Sequence, residues 1–340
     1  MQKQQIARQP SQRSISSTSS EVLPMADEPL APGATIQGYS GRIYTIGESI
    51  VERRDPLLCV YRASVEGKKF ILKNMIPGEY EYQKDLQESV SYCPHLRTIV
   101  DGVPGPDLFI YPFLETNLLQ FSQNKLLDTT RKFILKNALV GLATLHEKNI
   151  IHDIKPDNIL LDYEVKDTAF HVKRVQIADL EDSVILPDGK HLENTMCGNQ
   201  LWRSPESWAR AAQGISSDIF SFGIVSIYVM LNDMVLRASK DELAANDAWR
   251  WVLGRQISFF AKEEEFKGLL KWIGEENPFY ERLITLADSF DYSASPRKPF
   301  EYWEFVDASF RDLIGKMTAL DPAKRITAKN ALMHPWFSAN

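Results

Sequence analysis

The run Ile151-His152-Asp153-Ile154-Lys155-Pro156-Asp157-Asn158 concentrates side chains that can do chemistry in one short stretch. A carboxylate such as Asp153 can accept a proton. An ammonium such as Lys155 can neutralise developing negative charge, and the oxygens of Asn158 and of aspartates can ligate a hard divalent cation. Asp179-Leu180-Glu181 supplies two further carboxylates, and Phe70-Ile71-Leu72-Lys73 ends a β-type run on an ammonium. Taken singly these residues have plainer readings. A lysine that ends a strand is ordinarily a solvated edge residue, and an aspartate before an apolar run, as Asp218 is, is ordinarily a helix cap.

Taken in order, the blocks resemble the motifs of eukaryotic protein kinases of the Ser/Thr type. In that family an Asp of the catalytic loop accepts or orients the substrate hydroxyl proton, and an Asn five residues later holds magnesium. The resemblance therefore implies Asp153 as base and Lys155 as the residue that steadies the transferring phosphoryl group. It implies Asn158 and Asp179 as metal ligands. Lys73 lies about 80 residues before Asp153 and corresponds to the Lys of Val-Ala-Ile-Lys, which reaches the α- and β-phosphates. Val60 and Ile71 would border the adenine, and the backbone of Leu114 would meet it at the hinge Tyr111-Pro112-Phe113-Leu114.

Ser204-Pro205-Glu206 resembles the Ala-Pro-Glu that closes the activation segment. Asp218-Ile219-Phe220-Ser221-Phe222-Gly223 resembles Asp-x-Trp-Ser-x-Gly, and Leu320–Thr327 followed by Ala331–Phe337 resembles the closing helix pair. The likeness covers about residues 38–338. It implies ATP and Mg2+ as cofactors and a protein substrate or signalling partner. It also implies a buried ion pair between Glu206 and Arg325, and backbone N–H bonds from the catalytic loop to Asp218.

Several positions depart from the family. His152 abuts Asp153, where the family places an Arg between them. The three glycines of the phosphate-covering loop fall on Arg53, Asp55 and Leu58, whose side chains keep backbone N–H groups farther from phosphate. Arg53 and Arg54 either contact phosphate in place of the glycine backbone or, as we expect, are solvated. Glu181 replaces a Gly; it either joins the metal ligands or, as we expect, points into solvent. The helix partner of Lys73 is Gln83 or Glu79. The activation segment spans Asp179 to Glu206, with Thr195 at the usual phosphorylation position and Asn199 where a Thr is usual. Two other functions stay in view: a pseudokinase acting as a nucleotide-binding or scaffold module, and a small-molecule phosphotransferase, against which Ser204-Pro205-Glu206 and Arg325 speak.

The elements that must hold these residues are legible in the hydrophobic pattern. Five β-type runs (Arg42–Ile46, Leu57–Ser64, Lys69–Lys73, Thr98–Asp101 and Leu108–Phe113) enclose one helix over Glu79–Ser91, marked by Tyr82, Leu86 and Val90. From Leu118 onward helices dominate. Thr129–Lys148 carries a stripe of Phe133, Ile134, Ala138, Leu139, Leu142 and Leu145, and Ile219–Leu231 is apolar nearly all round. Asp307–Met317 and Thr327–Met333 are helical, and Ile159–Leu161 and Val175–Ala178 flank the Tyr163–Lys173 loop to make a hairpin beside the 151–158 run. Between Asn232 and Trp303, Trp249, Trp251 and Trp272 serve core packing or docking.

The fold expected is α+β and bilobal, kinase-like, with a five-stranded lobe at 38–114 and a mainly helical lobe at 115–338. Residues 1–37, polar and ending in Pro-Leu-Ala-Pro-Gly, read as a disordered tail. Hydrophobic residues at 44% and charged residues at 25% suit a globular protein. A net charge of -6 gives no reason to expect nucleic acid or an anionic membrane. Cys59, Cys93 and Cys197 lack metal-ligand spacing and read as reduced thiols of an intracellular protein.

Overall fold

Period-two burial organises the first part of the chain. A computed structural model describes residues 28–338 apart from 104, 106 and 291–295. Its small lobe contains β1 (Thr35–Gln37), β2 (Ile43–Arg53), β3 (Leu58–Val65), β4 (Lys68–Asn74), helix α1 (Tyr80–Glu88), β5 (Asp101–Val103) and β6 (Leu108–Pro112). The sheet is antiparallel throughout, in the order β1-β2-β3-β4-β6-β5. Tyr44, Ile46, Cys59, Tyr61, Leu72 and Ile110 fill one face. Their neighbours Ile71, Phe109 and Tyr111 fill the other with Met75. Adjacent residues thus serve opposite faces, as strand geometry requires.

Four expectations need correction. The sheet has six strands rather than five, because Thr35–Gln37 pairs with β2 inside the segment read as a tail; residues 1–27 of that segment lie outside the described residues. β2 runs on to Arg53, since Ser49, Val51 and Arg53 still pair with Tyr61, Val60 and Leu58. The run placed at Thr98–Asp101 forms its strand at Asp101–Val103. Residues 163–173 are not a loop. The expected hairpin is there, but its strands β9 (Ile159–Lys166) and β10 (Ala169–Ile177) run through most of that segment, and Tyr163 and Phe170 pack on Phe121.

The larger lobe also holds β7 (Thr116–Asn117), β8 (Ile150–Ile151) and β11 (Val184–Ile185). Its helices are α2 (Leu118–Phe121), α3 (Asp128–Glu147), α4 (Pro205–Trp208), α5 (Ile215–Leu231), α6 (Lys240–Ala244) and α7 (Ala248–Phe260). They continue with α8 (Glu263–Ile273), α9 (Tyr280–Asp288), α10 (Ala308–Met317) and α11 (Ala328–Leu332). The stripe on α3 is buried from Ile134 to Leu145, but Phe133 points outward and Leu135 takes its place inside. α5 is buried on every side, as its sequence implies. Trp249 packs on Phe279, and Trp272 donates to the Ala212 carbonyl at 2.9 Å. Of the three tryptophans in this region only Trp251 is exposed.

The connector 93–97 ties α1 to the large lobe. Arg97 N–H donates to the Ile177 carbonyl at 2.8 Å, Ile177 N–H to the His95 carbonyl at 2.9 Å, and the His95 ring meets the Val175 carbonyl at 3.1 Å. Gly141 on α3 lies so close that a Cβ there would sit 2.6 Å from the His95 oxygen. Only glycine admits that approach.

Glu206 and Arg325 form the fully buried bidentate pair implied by the sequence, with Arg325 Nη2 donating to Glu206 Oε2 at 2.8 Å. The remaining donors reach the carbonyls of Ala319, Ser216 and Leu320, and Ser217 donates to the same carboxylate. Every charge-bearing atom is therefore satisfied. Arg325→Ala, which strands the carboxylate, will lower stability by about 3–5 kcal/mol. Urea unfolding monitored by tryptophan fluorescence checks this, and Glu206→Gln combined with Arg325→Met will lose less than the single change.

Candidate active site

Buried loops must find partners for their backbone groups, and the 151–158 loop does so through one carboxylate. Asp218, in the first turn of α5, accepts the His152 N–H at 3.0 Å and meets the His146 ring at 3.1 Å. Burial raises its pKa above the ordinary carboxylate value, against the pull of His146. Asn158 closes the loop: its amide donates to the Asp153 carbonyl at 2.9 Å, and its own carbonyl accepts from Ala178 N–H at 2.8 Å. His152 turns inward to the Ser183 hydroxyl at 2.9 Å.

Asp153 is held from two sides. Lys155 Nζ donates to Oδ2 at 2.6 Å, and Asn199 N–H donates to Oδ1 at 3.1 Å. Burial works against the Lys155 ammonium, but Asp153 outweighs it and holds the pKa above the usual lysine value. Gly198, with φ +77°, brings the activation segment within contact of Asp153. Arg203 is a residue the sequence reading passed over. Its guanidinium is buried over the Trp208 ring and donates to the Gly198 carbonyl, and burial pushes its pKa down to about 10 despite Asp153 nearby.

Lys73 reaches across from β4 to Asp179, which it contacts directly. Asp179 adopts a left-handed backbone (φ 58°) and opens the short turn Leu180–Asp182, with Leu180 fully buried. Aspartate tolerates that conformation better than most residues. Burial disfavours charge on Lys73, yet the Glu181 and Asp179 carboxylates outweigh it and raise its pKa; Lys73 in turn lowers that of Asp179. Val60 and Ile71 belong to the apolar cluster around Tyr111, and Leu114 is buried. Lys73 and Asp179 meet, and Val60 and Ile71 share one cluster, where the sequence brings them together.

Glu181 departs from expectation. Rather than pointing to solvent, it lies 3.5 Å from Lys73 Nζ, and both side chains are less than one-fifth exposed. Neither Gln83 nor Glu79 pairs with Lys73. Gln83 donates instead to the Glu181 backbone carbonyl at 3.1 Å, and Glu79 sits at the N-terminus of α1. The cause is geometric: α1 turns amides, not carboxylates, toward the turn. Arg97, buried over Tyr111 and donating to the Pro112 carbonyl at 2.8 Å, was also unforeseen, since nothing in the pattern around it distinguishes it.

The turn between β2 and β3 lies just after the Arg53–Leu58 pair, so the three glycine-equivalent positions do border it. Arg54 there pairs with Glu52 and Glu28 at the surface. Among the described residues no group of three or more His, Cys, Asp or Glu is placed to hold a metal. Asn158 and Asp179 together offer the small oxygen set that magnesium accepts when phosphate and water complete its shell, and Asp179 is partly exposed. The residues fit that ion.

Two measurements probe this site. Asp218→Ala will orphan the buried His152 N–H and cost about 1–3 kcal/mol, read by chemical unfolding, with Asp218→Asn recovering part of the loss. Cys197, in the activation segment, has its pKa pushed up to about 11 by burial. Because thiolate is the reactive form, iodoacetamide at pH 8 will label native Cys197 at least ~10-fold more slowly than the unfolded chain.

The protein kinase domain family matches residues 108–337, leaving out most of the small lobe. The DNA damage response protein kinase DUN1 of Saccharomyces cerevisiae is 26% identical over 61% of this chain and 34% of its own length. The liver/testis phosphorylase b kinase gamma catalytic chain of Bos taurus is 24% identical over 86% of this chain and 64% of its own. Calcium/calmodulin-dependent protein kinase type 1 of Macrobrachium nipponense is 24% identical over 82% and 66%. The chain therefore spans between about a third and two thirds of these relatives. A chain in the crystal structure of the yeast RNA Pol II CTD kinase CTDK-1 complex superposes with a TM-score of 0.65 at 14% identity, covering 97% of both chains.

Proposed function

Because the chain belongs to the protein kinase family, we propose that it transfers the γ-phosphate of ATP to Ser or Thr hydroxyls of protein substrates, with Mg2+. The observation that carries this reading is Asp153, fixed between Lys155 and the Asn199 N–H, on a loop tied by Asn158 to the residues preceding Asp179. Asp153 orients the substrate hydroxyl and takes its proton. Lys155, already beside that carboxylate, neutralises charge that develops on the transferring group. Lys73 meets the α- and β-phosphates from β4, and the Val60, Ile71 and Tyr111 cluster supports the adenine beside Leu114. Asn158 and Asp179 would hold the metal, which when bound neutralises charge on the β- and γ-phosphate oxygens. Phosphoryl transfer asks for placement and charge, and these side chains supply both.

The glycine-free turn between β2 and β3 favours a second reading, a pseudokinase that binds nucleotide or partners without turnover. Labelled ATP separates the two. Wild-type chain will incorporate phosphate into itself or a Ser/Thr peptide pool, and Asp153→Asn will reduce this by about 10²–10⁴-fold. Equal incorporation by both sinks the catalytic role. A thermal shift with Mg-ATP at 100-fold its Kd, worth about 2.7 kcal/mol, without incorporation would mark a nucleotide-binding pseudokinase.

A further inference from the structure

The acidic residues of α1 all miss the site. Glu81, Asp85 and Glu88 are exposed, while the buried face of the helix carries Gln83 and Gln87. Gln87 is committed elsewhere, donating to the Tyr111 hydroxyl at 3.0 Å and accepting from Ile99 N–H at 3.2 Å. The carboxylate that faces Lys73 alongside Asp179 comes from Glu181. Glu181 Oε1 is buried and makes no hydrogen bond among the described residues; the Lys73 ammonium lies 3.5 Å from it, while Arg97 and the Tyr111 hydroxyl also interact with the same carboxylate.

In protein kinases the strand lysine ordinarily pairs with a glutamate on the helix that α1 corresponds to, and helix position controls the pair. We propose that in this chain Glu181 is the positioning residue for Lys73, so that the ion pair is assembled by the Asp179–Asp182 turn rather than by movement of α1. This inference rests on the kinase reading. Asp179 has two claims on it, from Lys73 and from a divalent ion. A second carboxylate keeps the ammonium in place when Asp179 turns to the metal. A buried ammonium left without a counter-ion would be costly. The helix still matters, but indirectly: Gln83 grips the Glu181 backbone carbonyl and so holds the turn. Regulation of this site would therefore act on the turn, and a partner pressing on α1 would reach Lys73 only through Gln83.

Two experiments on the full chain test this. The first uses no nucleotide. In thermal unfolding of Lys73→Met, Glu181→Gln and their combination, the double variant will fall no further in Tm than the worse single one; additive losses would overturn the proposal. The second reads phosphotransfer. Glu181→Gln will lower kcat by about 10²-fold, and Glu181→Asp, which keeps a carboxylate on the turn and leaves the Gln83 bond to its backbone in place, will retain most of the activity. Glu181→Gln with unchanged kcat and KM would overturn the proposal while leaving the kinase reading intact. A wild-type chain that transfers no phosphate would overturn the kinase reading alone, and the unfolding cycle then decides the role of Glu181 by itself.

Discussion

One buried carboxylate governs the geometry of the site. Asp218 pays a desolvation cost that raises its pKa, and what it secures is the course of the backbone at His152. Everything downstream follows from that anchor. Asp153 comes next in the chain, Lys155 folds back on it, and Asn158 hydrogen-bonds the same residue's carbonyl. The helix bearing Asp218 is apolar on all faces and sits in the middle of the large lobe. The 151–158 loop is thus referenced to a helix buried along most of its length.

The second dependency is electrostatic. Lys73 and Arg97 are cations set among Asp179, Glu181 and the Tyr111 ring. Burial lowers the pKa of Arg97, with Glu181 opposing, and burial with Glu181 nearby raises that of Tyr111 far above its ordinary value. Glu181 is common to all three. Two cations and two carboxylates face one another there. Lys73 on β4, Arg97 on the connector and the Asp179–Asp182 turn therefore form one cluster, and the two lobes meet there.

The bilobal fold was legible from sequence because its signals are periodic or ordered. The α3 stripe, the apolar α5, the Glu206–Arg325 partnership and the convergence of Asp153, Lys155, Asn158 and Asp179 all came through. What escaped was side-chain direction within irregular segments. Glu181 lies in a turn of three residues with no period to say which way it faces. β1 is too short, and too polar at Thr35 and Gln37, to stand out beside a low-complexity run. The β9–β10 hairpin is legible, but not the length of its strands, because its outer half alternates charged with apolar residues and reads as loop. Phe133 was placed inside because one more apolar residue extends a helical stripe at no apparent cost; only packing distinguishes it from Leu135.

The connector at 93–97 gives the molecule an axle. It is fastened to β10 through His95 and Arg97 and pressed upon by Gly141, at a separation that no side chain on α3 could permit. An axle passes rotation and blocks translation. α1 ends at Glu88, a few residues before it, so the C-terminal end of the helix is the end tied to the large lobe. A helix so pinned is a poor courier for a carboxylate that must travel to a lysine, and a sound bearing for one that stays where the turn puts it.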